Sequence, residues 1–232
     1  MGWNVNSLSN YKSQLKFINK LRGAQENVFI LSDIRLDSDK QRAFSKMWGE
    51  GAYFNSYSSS QRGLAVLFKD SLPVKDIHFE NIIDGNFSKL TFKVKEFSIL
   101  IKCLYAPNED MPKGESENLS SKLFKSVFND ENEEEYDIKA VVGDFNVALN
   151  HNMDTAGYLH VNNPNTRDFL SKMIPLCNLT DIWRHKNPNT RSYKFFKKQT
   201  NNYTRARLDY FLLNDSSTHL VKKIGMGKIC SL

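Results

Sequence analysis

The sequence has few cysteines, no long apolar run and no repeat, and each lack removes a class of protein. Its three cysteines, Cys103, Cys177 and Cys230, are odd in number and far apart. That pattern excludes a disulfide scaffold and a cysteine-ligated metal site, and points to a reducing compartment with buried thiols. No apolar stretch is long enough to span a bilayer, and the amino terminus lacks a secretory pattern. The expectation is a chain neither secreted nor membrane-bound. The one compositionally biased stretch is acidic: Asp130, Glu131, Glu133, Glu134, Glu135 and Asp137.

The residues that are present describe a chain with a core. At 232 residues, 40% hydrophobic and 12% aromatic, it fits one large α/β or all-β domain or two small ones. No linker is evident, so a single domain over residues 1–232 is expected. The net charge is +6, and the acidic run hides its distribution: without that run the rest of the chain carries twice as much. From Arg184 to Lys228, eleven Lys or Arg stand against Asp209 and Asp215 alone. A polyanion, most simply nucleic acid, suits such a segment. A solvated basic face is the alternative.

Hydrophobic periodicity predicts a helix capped by Ser9 or Asn10 and ended by Gly23, with Tyr11, Leu15, Ile18 and Leu21 on one stripe. Val28 to Leu31 reads as a buried strand with Asp33 after it. A helix follows over Gln41 to Trp48. Strands are predicted at Tyr53 to Tyr57, Gly63 to Phe68, Lys89 to Val94 and Phe97 to Leu104, with Pro107 stopping the last. Further helices are predicted at Leu119 to Phe128 and Thr166 to Cys177, and strands at Leu179 to Trp183, Tyr193 to Phe196 and Leu208 to Leu213. Hairpins mixed with helices imply an α/β fold of two sheets packed face to face with helices outside.

The organising stretch is Val141-Val142-Gly143-Asp144-Phe145-Asn146, a buried strand that presents an acid and an amide at its end. Asp144 and Asn146 are two apart and point the same way in extended chain. An Asx turn would use the same residues. Other polar residues also close predicted strands: Asn4, Asp33, Tyr105, Asn108 and Asp209. Carboxylates are costly to bury unless they bind something. Converging at one sheet edge, they would suit a hard cation such as Mg²⁺ and phosphoryl chemistry, with a Tyr or Asn donating to the phosphate.

The order of these motifs resembles the endonuclease/exonuclease/phosphatase superfamily. The stretches are Trp3-Asn4-Val5-Asn6, Leu31-Ser32-Asp33-Ile34-Arg35-Leu36, Arg62-Gly63-Leu64-Ala65-Val66-Leu67, Leu104-Tyr105-Ala106-Pro107-Asn108, Gly143-Asp144-Phe145-Asn146 and Arg207-Leu208-Asp209-Tyr210. Asp181-Ile182-Trp183-Arg184 followed by Asn187-Pro188-Asn189-Thr190-Arg191 is similar to the apurinic-type endonuclease domain of LINE (non-LTR) retrotransposons. The resemblance implies a four-layer, DNase I-like α/β sandwich and Mg²⁺-dependent nicking of DNA, with Mn²⁺ as a substitute. By it, Asp33 and Asn4 hold the metal. Asn4, Asn108 and Arg207 contact substrate. Asp144 positions or activates the water, Asn146 helps hold it, Tyr105 shapes the site and Asp209 orients a histidine. The basic stretch after Arg184 would face DNA, with Tyr193, Phe195 and Phe196 near the groove. A reverse transcriptase domain would be a neighbour in a longer parent polypeptide.

The chain also departs from that pattern. Asp33 stands where the family has glutamate, Lys194 where threonine is common, and Ala206 where serine is common. The closing Ser-Asp-His motif is not found after Ile229-Cys230-Ser231-Leu232, and His78, His151, His160, His185 and His219 lack its surroundings. The expectation is a domain missing most of its first strand and its last strand, weak or inactive in this form. A non-catalytic nucleic-acid-binding remnant is the alternative. A phosphoesterase acting on lipid or small substrates ranks third.

Overall fold

The computed structural model describes residues 2–49, 51–114, 116–129, 133, 135–198 and 203–222, the Trp3 side chain excepted. In chain order the elements are β1 (Gly2–Asn4), α1 (Tyr11–Gly23), β2 (Val28–Ser32), α2 (Ser38–Trp48), β3 (Ala52–Asn55), β4 (Leu64–Phe68), β5 (Val74–Ile83), β6 (Phe87–Val94) and β7 (Phe97–Tyr105). Then come α3 (Leu119–Val127), β8 (Ile138–Asp144), α4 (His151–Asp154), β9 (Thr155–Ala156), α5 (Pro164–Leu176) and β10 (Leu179–Asp181). The chain continues through α6 (Ile182–Lys186), β11 (Phe195–Lys198), β12 (Tyr203–Ala206), β13 (Asp209–Asn214) and a 3-10 turn over Asp215–Leu220. The expectations about Ile229 to Leu232, including Cys230, and about Asp130, Glu131 and Glu134 lie outside the described residues.

Two sheets form the centre. One has the order β1-β2-β4-β3, the other β10-β13-β8-β7-β6-β5, and β11, β12 and β9 make a third, smaller sheet. β8 is the inner strand of the larger sheet, parallel to β7 and antiparallel to β13. Its residues alternate strictly. Ala140 and Val142 meet Ile30, Leu64 and Val66 of the facing sheet, while Val141 packs with Phe124 and Leu170 of the outer helices. In β2 the same period puts Phe29 and Leu31 against α1 and α2, and Ile30 between the sheets. The layers are therefore helix, sheet, sheet, helix, as a period of two on both faces of each sheet requires. Helix starts follow local chemistry. The Asn10 side chain accepts the Lys12 and Ser13 N–H groups, and Asn118 with Ser121 forms a capping box on α3.

Three expectations change. Ile182 and Trp183 belong to helix α6, because Asp181 accepts the Arg184 N–H at 3.1 Å and caps a turn there. β5 and β12 were not foreseen from periodicity. β5 is an edge strand with a mostly solvated surface, so it carries Lys75, Asp76, His78, Glu80 and Asn81. Within the acidic run, which its charge alone would leave in water, Glu133 is buried against Lys89 (2.9 Å) and Lys102 (2.8 Å). Among the described residues no helix is long and apolar enough to cross a membrane.

Candidate active site

The alternation that builds the core also aims the site. On β8 the inter-sheet set Ala140, Val142 continues to Asp144. On β13 the set Leu213, Phe211 continues to Asp209, and on β7 the set Ile101, Cys103 continues to Tyr105. Asn4 pairs with Ser32 in the facing sheet, in phase with Gly2 opposite Ile30. Four polar side chains thus emerge at one rim of the gap between the sheets. Register aligns them further: Asp144 lies opposite Tyr105 on one side and Asp209 on the other.

The contacts close the arrangement across the gap. Asn4 Nδ2 donates to Asp144 Oδ2 at 2.8 Å, joining residues 140 positions apart. The Asn146 N–H donates to Asp144 Oδ1 at 2.9 Å, and Asn146 Nδ2 donates to the Ala106 carbonyl at 2.6 Å. Asn146 adopts φ +50, a left-handed turn that brings its backbone N–H back onto the acid. Gly143 allows the strand to come this close to β7. A Cβ there would stand 1.8 Å from the Leu104 carbonyl oxygen.

Burial sets the electrostatics. Asp144 is pushed up to about 7, first by burial and then by the neighbouring Asp209 charge, against the opposing bond from Asn4. Asp209 is also raised by burial, with Lys194 drawing it back. Tyr105 is pushed up to about 12 by burial and by Asp33 and Asp144. Its backbone is clamped by Asn86, whose carbonyl accepts the Tyr105 N–H at 2.9 Å and whose Nδ2 donates to the Tyr105 carbonyl at 2.5 Å. Asn86 and Asn55 are fully buried amides that hold the β5–β6 turn beneath this tyrosine.

Asp33 sits beside this group on a tight loop after β2, with φ +59, while Arg35 has φ +53. The loop is pinned by Ser7 N–H to the Asp33 carbonyl (2.8 Å) and by Arg35 N–H to the Arg62 carbonyl (2.9 Å). The Arg35 guanidinium grips Asp33 with both arms, Nε to Oδ1 at 2.9 Å and Nη2 to Oδ2 at 2.6 Å. The fit to a divalent metal follows from the oxygens present. Each Asp33 oxygen keeps a lone pair beyond its Arg35 bond. The Asn4 amide oxygen accepts the Asn6 N–H at 3.0 Å. These are hard donors, the kind Mg²⁺ takes when waters and a substrate phosphate complete its shell. Among the described residues, no three His, Cys, Asp or Glu side chains gather into a metal cage. The residues therefore fit an open, substrate-completed Mg²⁺ site in which Arg35 competes for the carboxylate.

Two anticipated contacts fall elsewhere. Arg207, anticipated at the substrate, is turned into the interior. It is 1% exposed and lies between Asp154 (Nε–Oδ1 2.9 Å, Nη2–Oδ2 3.0 Å) and Asp181 (Nη2–Oδ2 2.6 Å), over the rings of Trp183 and Tyr210. Arg184 is drawn inward too, onto Asp154 at 2.6 Å. Asn108 lies exposed on the loop after β7, outside the bonded cluster. Lys194, Arg35, Asn86 and Asp154 were not read as site or framework residues from sequence. Of these Arg35 had a signal in its place two residues from Asp33, and Lys194 in its departure from the threonine common in the resembled family.

These layers and strand orders define the class: the chain has the endonuclease/exonuclease/phosphatase fold. The catalytic domain of Xenopus laevis APE2 superposes with a TM-score of 0.73 at 16% identity, over 94% of this chain and 82% of that one. The 3′ phosphatase NExo from Neisseria bound to product DNA hairpin gives 0.68 at 18% identity, over 94% and 87%. An AP endonuclease from Archaeoglobus fulgidus gives 0.68 at 17%, over 94% and 87%. No protein-family profile matches the chain. In sequence it is similar to the uncharacterized 149 kDa protein of transposon TX1 from Xenopus laevis, 21% identical over 224 residues. That match covers 95% of this chain, which spans only 16% of the relative's length.

Proposed function

We propose that this chain is a LINE-type DNA endonuclease domain that hydrolyses a phosphodiester to nick its target. The observation that carries the reading is the Asn4–Asp144 bond across the sheets, with Asp209, Tyr105 and Asp33 around it. A buried acid pushed up to about 7 suits a group that takes a proton from an attacking water near neutral pH. Asn146 fixes that acid from behind, Asn4 orients it and the phosphate, and the Tyr105 hydroxyl stays protonated to donate to a phosphate oxygen. Mg²⁺, or Mn²⁺ in its place, would be held by Asp33 and Asn4 and would neutralise charge developing on the phosphate. The NExo complex with a DNA hairpin supports DNA as substrate, and the transposon origin of the TX1 relative fits a LINE-type parent. The relative's length leaves room for a reverse transcriptase in a longer parent, and a DNA target implies a nuclear or cytoplasmic setting.

The Arg35 grip on Asp33 favours a second reading, a domain that binds DNA without cutting it. Supercoiled-plasmid nicking with Mg²⁺ or EDTA, run beside filter binding, separates the two. The endonuclease reading expects slow Mg²⁺-dependent relaxation, reduced at least ~100-fold in Asp144→Asn. DNA binding without nicking would establish the second reading, and loss of both would overturn the two together.

A further inference from the structure

Resting on the endonuclease reading, we propose that Lys194 is a catalytic residue of this site, supplying the ammonium that contacts the scissile phosphate above the Asp144–Asp209 pair. Asp144 and Asp209 face each other across β8 and β13, the first buried and the second half-buried at the rim. Two desolvated carboxylates side by side favour a cation, and a phosphate brought to them needs one more. The nearby arginines are committed. Arg35 holds Asp33 with both arms, and Arg207 is closed between Asp154 and Asp181. Arg62 lies over the Tyr57 ring at 4.7 Å and donates to Asn86 at 3.2 Å.

Lys194 remains, and the chain places it deliberately. Its backbone N–H donates to the Ala206 carbonyl at 3.1 Å, which fixes it at the foot of the β11–β12 hairpin. From there its side chain reaches back over the rim. Nζ lies 3.7 Å from Asp209 Oδ2 and 3.3 Å from the Gly2 carbonyl, with the side chain 18% exposed. The Asp209 distance is an ion-pair distance, longer than a hydrogen bond. A lysine carries three donors, so this ammonium can turn toward a non-bridging oxygen without abandoning the pair.

The step balances with water as the only co-reactant. The water oxygen forms the new bond to phosphorus, one proton passes to Asp144, and the bond to the leaving oxygen breaks with its electron pair. The leaving oxygen takes a proton from solvent to become the alcohol, and Asp144 returns its proton to solvent. Lys194 transfers no proton. It stabilises the charge on the equatorial oxygens, a contribution of the kind that one preorganised donor makes.

The test uses the full chain as Lys194→Gln and Lys194→Arg. Lys46→Gln, an exposed charge on outer helix α2, is the control for net charge. Two readouts are taken: single-turnover nicking at saturating plasmid, and the salt dependence of oligonucleotide binding in EDTA. Thermal melts confirm that each variant folds. Lys194→Gln is expected to nick about 100-fold more slowly than Lys46→Gln, with Lys194→Arg regaining at least about tenfold. Its binding slope against log salt should fall by about one relative to the control. Equal nicking by Lys194→Gln and the control, or no recovery in Lys194→Arg, overturns the proposal while leaving the endonuclease reading intact. If the parent chain does not nick, that reading fails, and the binding slope alone decides whether Lys194 meets a phosphate. An unchanged slope overturns it.

Discussion

Asp144 is a residue whose placement works against the fold. Burial and the adjacent Asp209 raise it from 3.8 to about 7, so the folded state holds a proton that the unfolded chain releases. The sign follows from linkage. This contribution to stability is fully present below about pH 4 and is lost as pH rises toward 7. Asp144→Asn keeps the shape and removes the charge. The variant should melt about 5 to 10 °C above the parent at pH 8, on the order of 2–4 kcal/mol, with the gap closing toward pH 4. Scanning calorimetry across that range would show it, and a pH-independent gap would mean that Asp144 is not the group responsible. This acid was legible in the sequence because it ends an apolar run at a glycine. The partners of Arg207 were not legible. Asp154 is 53 residues away on the short helix α4 and Asp181 is 26 away at a helix cap, and no local pattern ties either to an arginine before β13. Only the folded chain shows that a basic residue beside a catalytic-looking motif is an internal strut.

Elements with runs of large buried apolar residues announced themselves, and elements without them did not. β2 and β4 bury apolar residues at nearly every position, β7 and β8 carry apolar runs at their centres, and all four were foreseen within a few residues. β12 alternates exposed Tyr203 and Arg205 with buried Thr204 and Ala206, and its two inward residues are too small and polar to register as a strand. The strand that matters most for the site depends on a glycine rather than on any side chain. Gly143 sits opposite Leu104 with φ +151, and a methyl group there would overlap the Leu104 carbonyl. Relief requires β8 to part from β7 where Asp144 and Tyr105 are aligned. Gly143→Ala should therefore cost about 3 kcal/mol or more in denaturant unfolding. In whatever fraction folds, nicking should be lost, because Asp144, which takes the Asn4 bond, is the next residue along β8. A stable and active Gly143→Ala protein would show that this approach is not required.

At the scale of the whole molecule, the charge count read from sequence overstates the surface that DNA can meet. Of the basic residues after Arg184, that residue and Arg207 are consumed by Asp154 and Asp181, and Lys194 turns into the candidate site. Among the described residues, Lys186, Arg191 and Lys222 stay exposed elsewhere, and the β11–β12 hairpin carries three more outward cations. There Lys197, Lys198 and Arg205 stand beside Phe195, Phe196 and Tyr203, which are 40%, 60% and 53% exposed. Arg205 rests 5.9 Å over the Phe196 ring, so the hairpin offers cations together with stacking surfaces. It springs from the strand that leads into Asp209, which places that surface beside the rim where the carboxylates emerge. Lysines there would touch phosphates and carry no sequence preference. Lys197→Gln with Lys198→Gln should weaken binding several-fold on unrelated duplexes alike and reduce the salt slope by about two. The nicking rate at saturating DNA should stay near that of the parent chain. Fluorescence anisotropy on two sequences at three salt concentrations measures it. A loss confined to one sequence would make the hairpin a reader of bases, and an unchanged slope would move the DNA path to another face of the molecule.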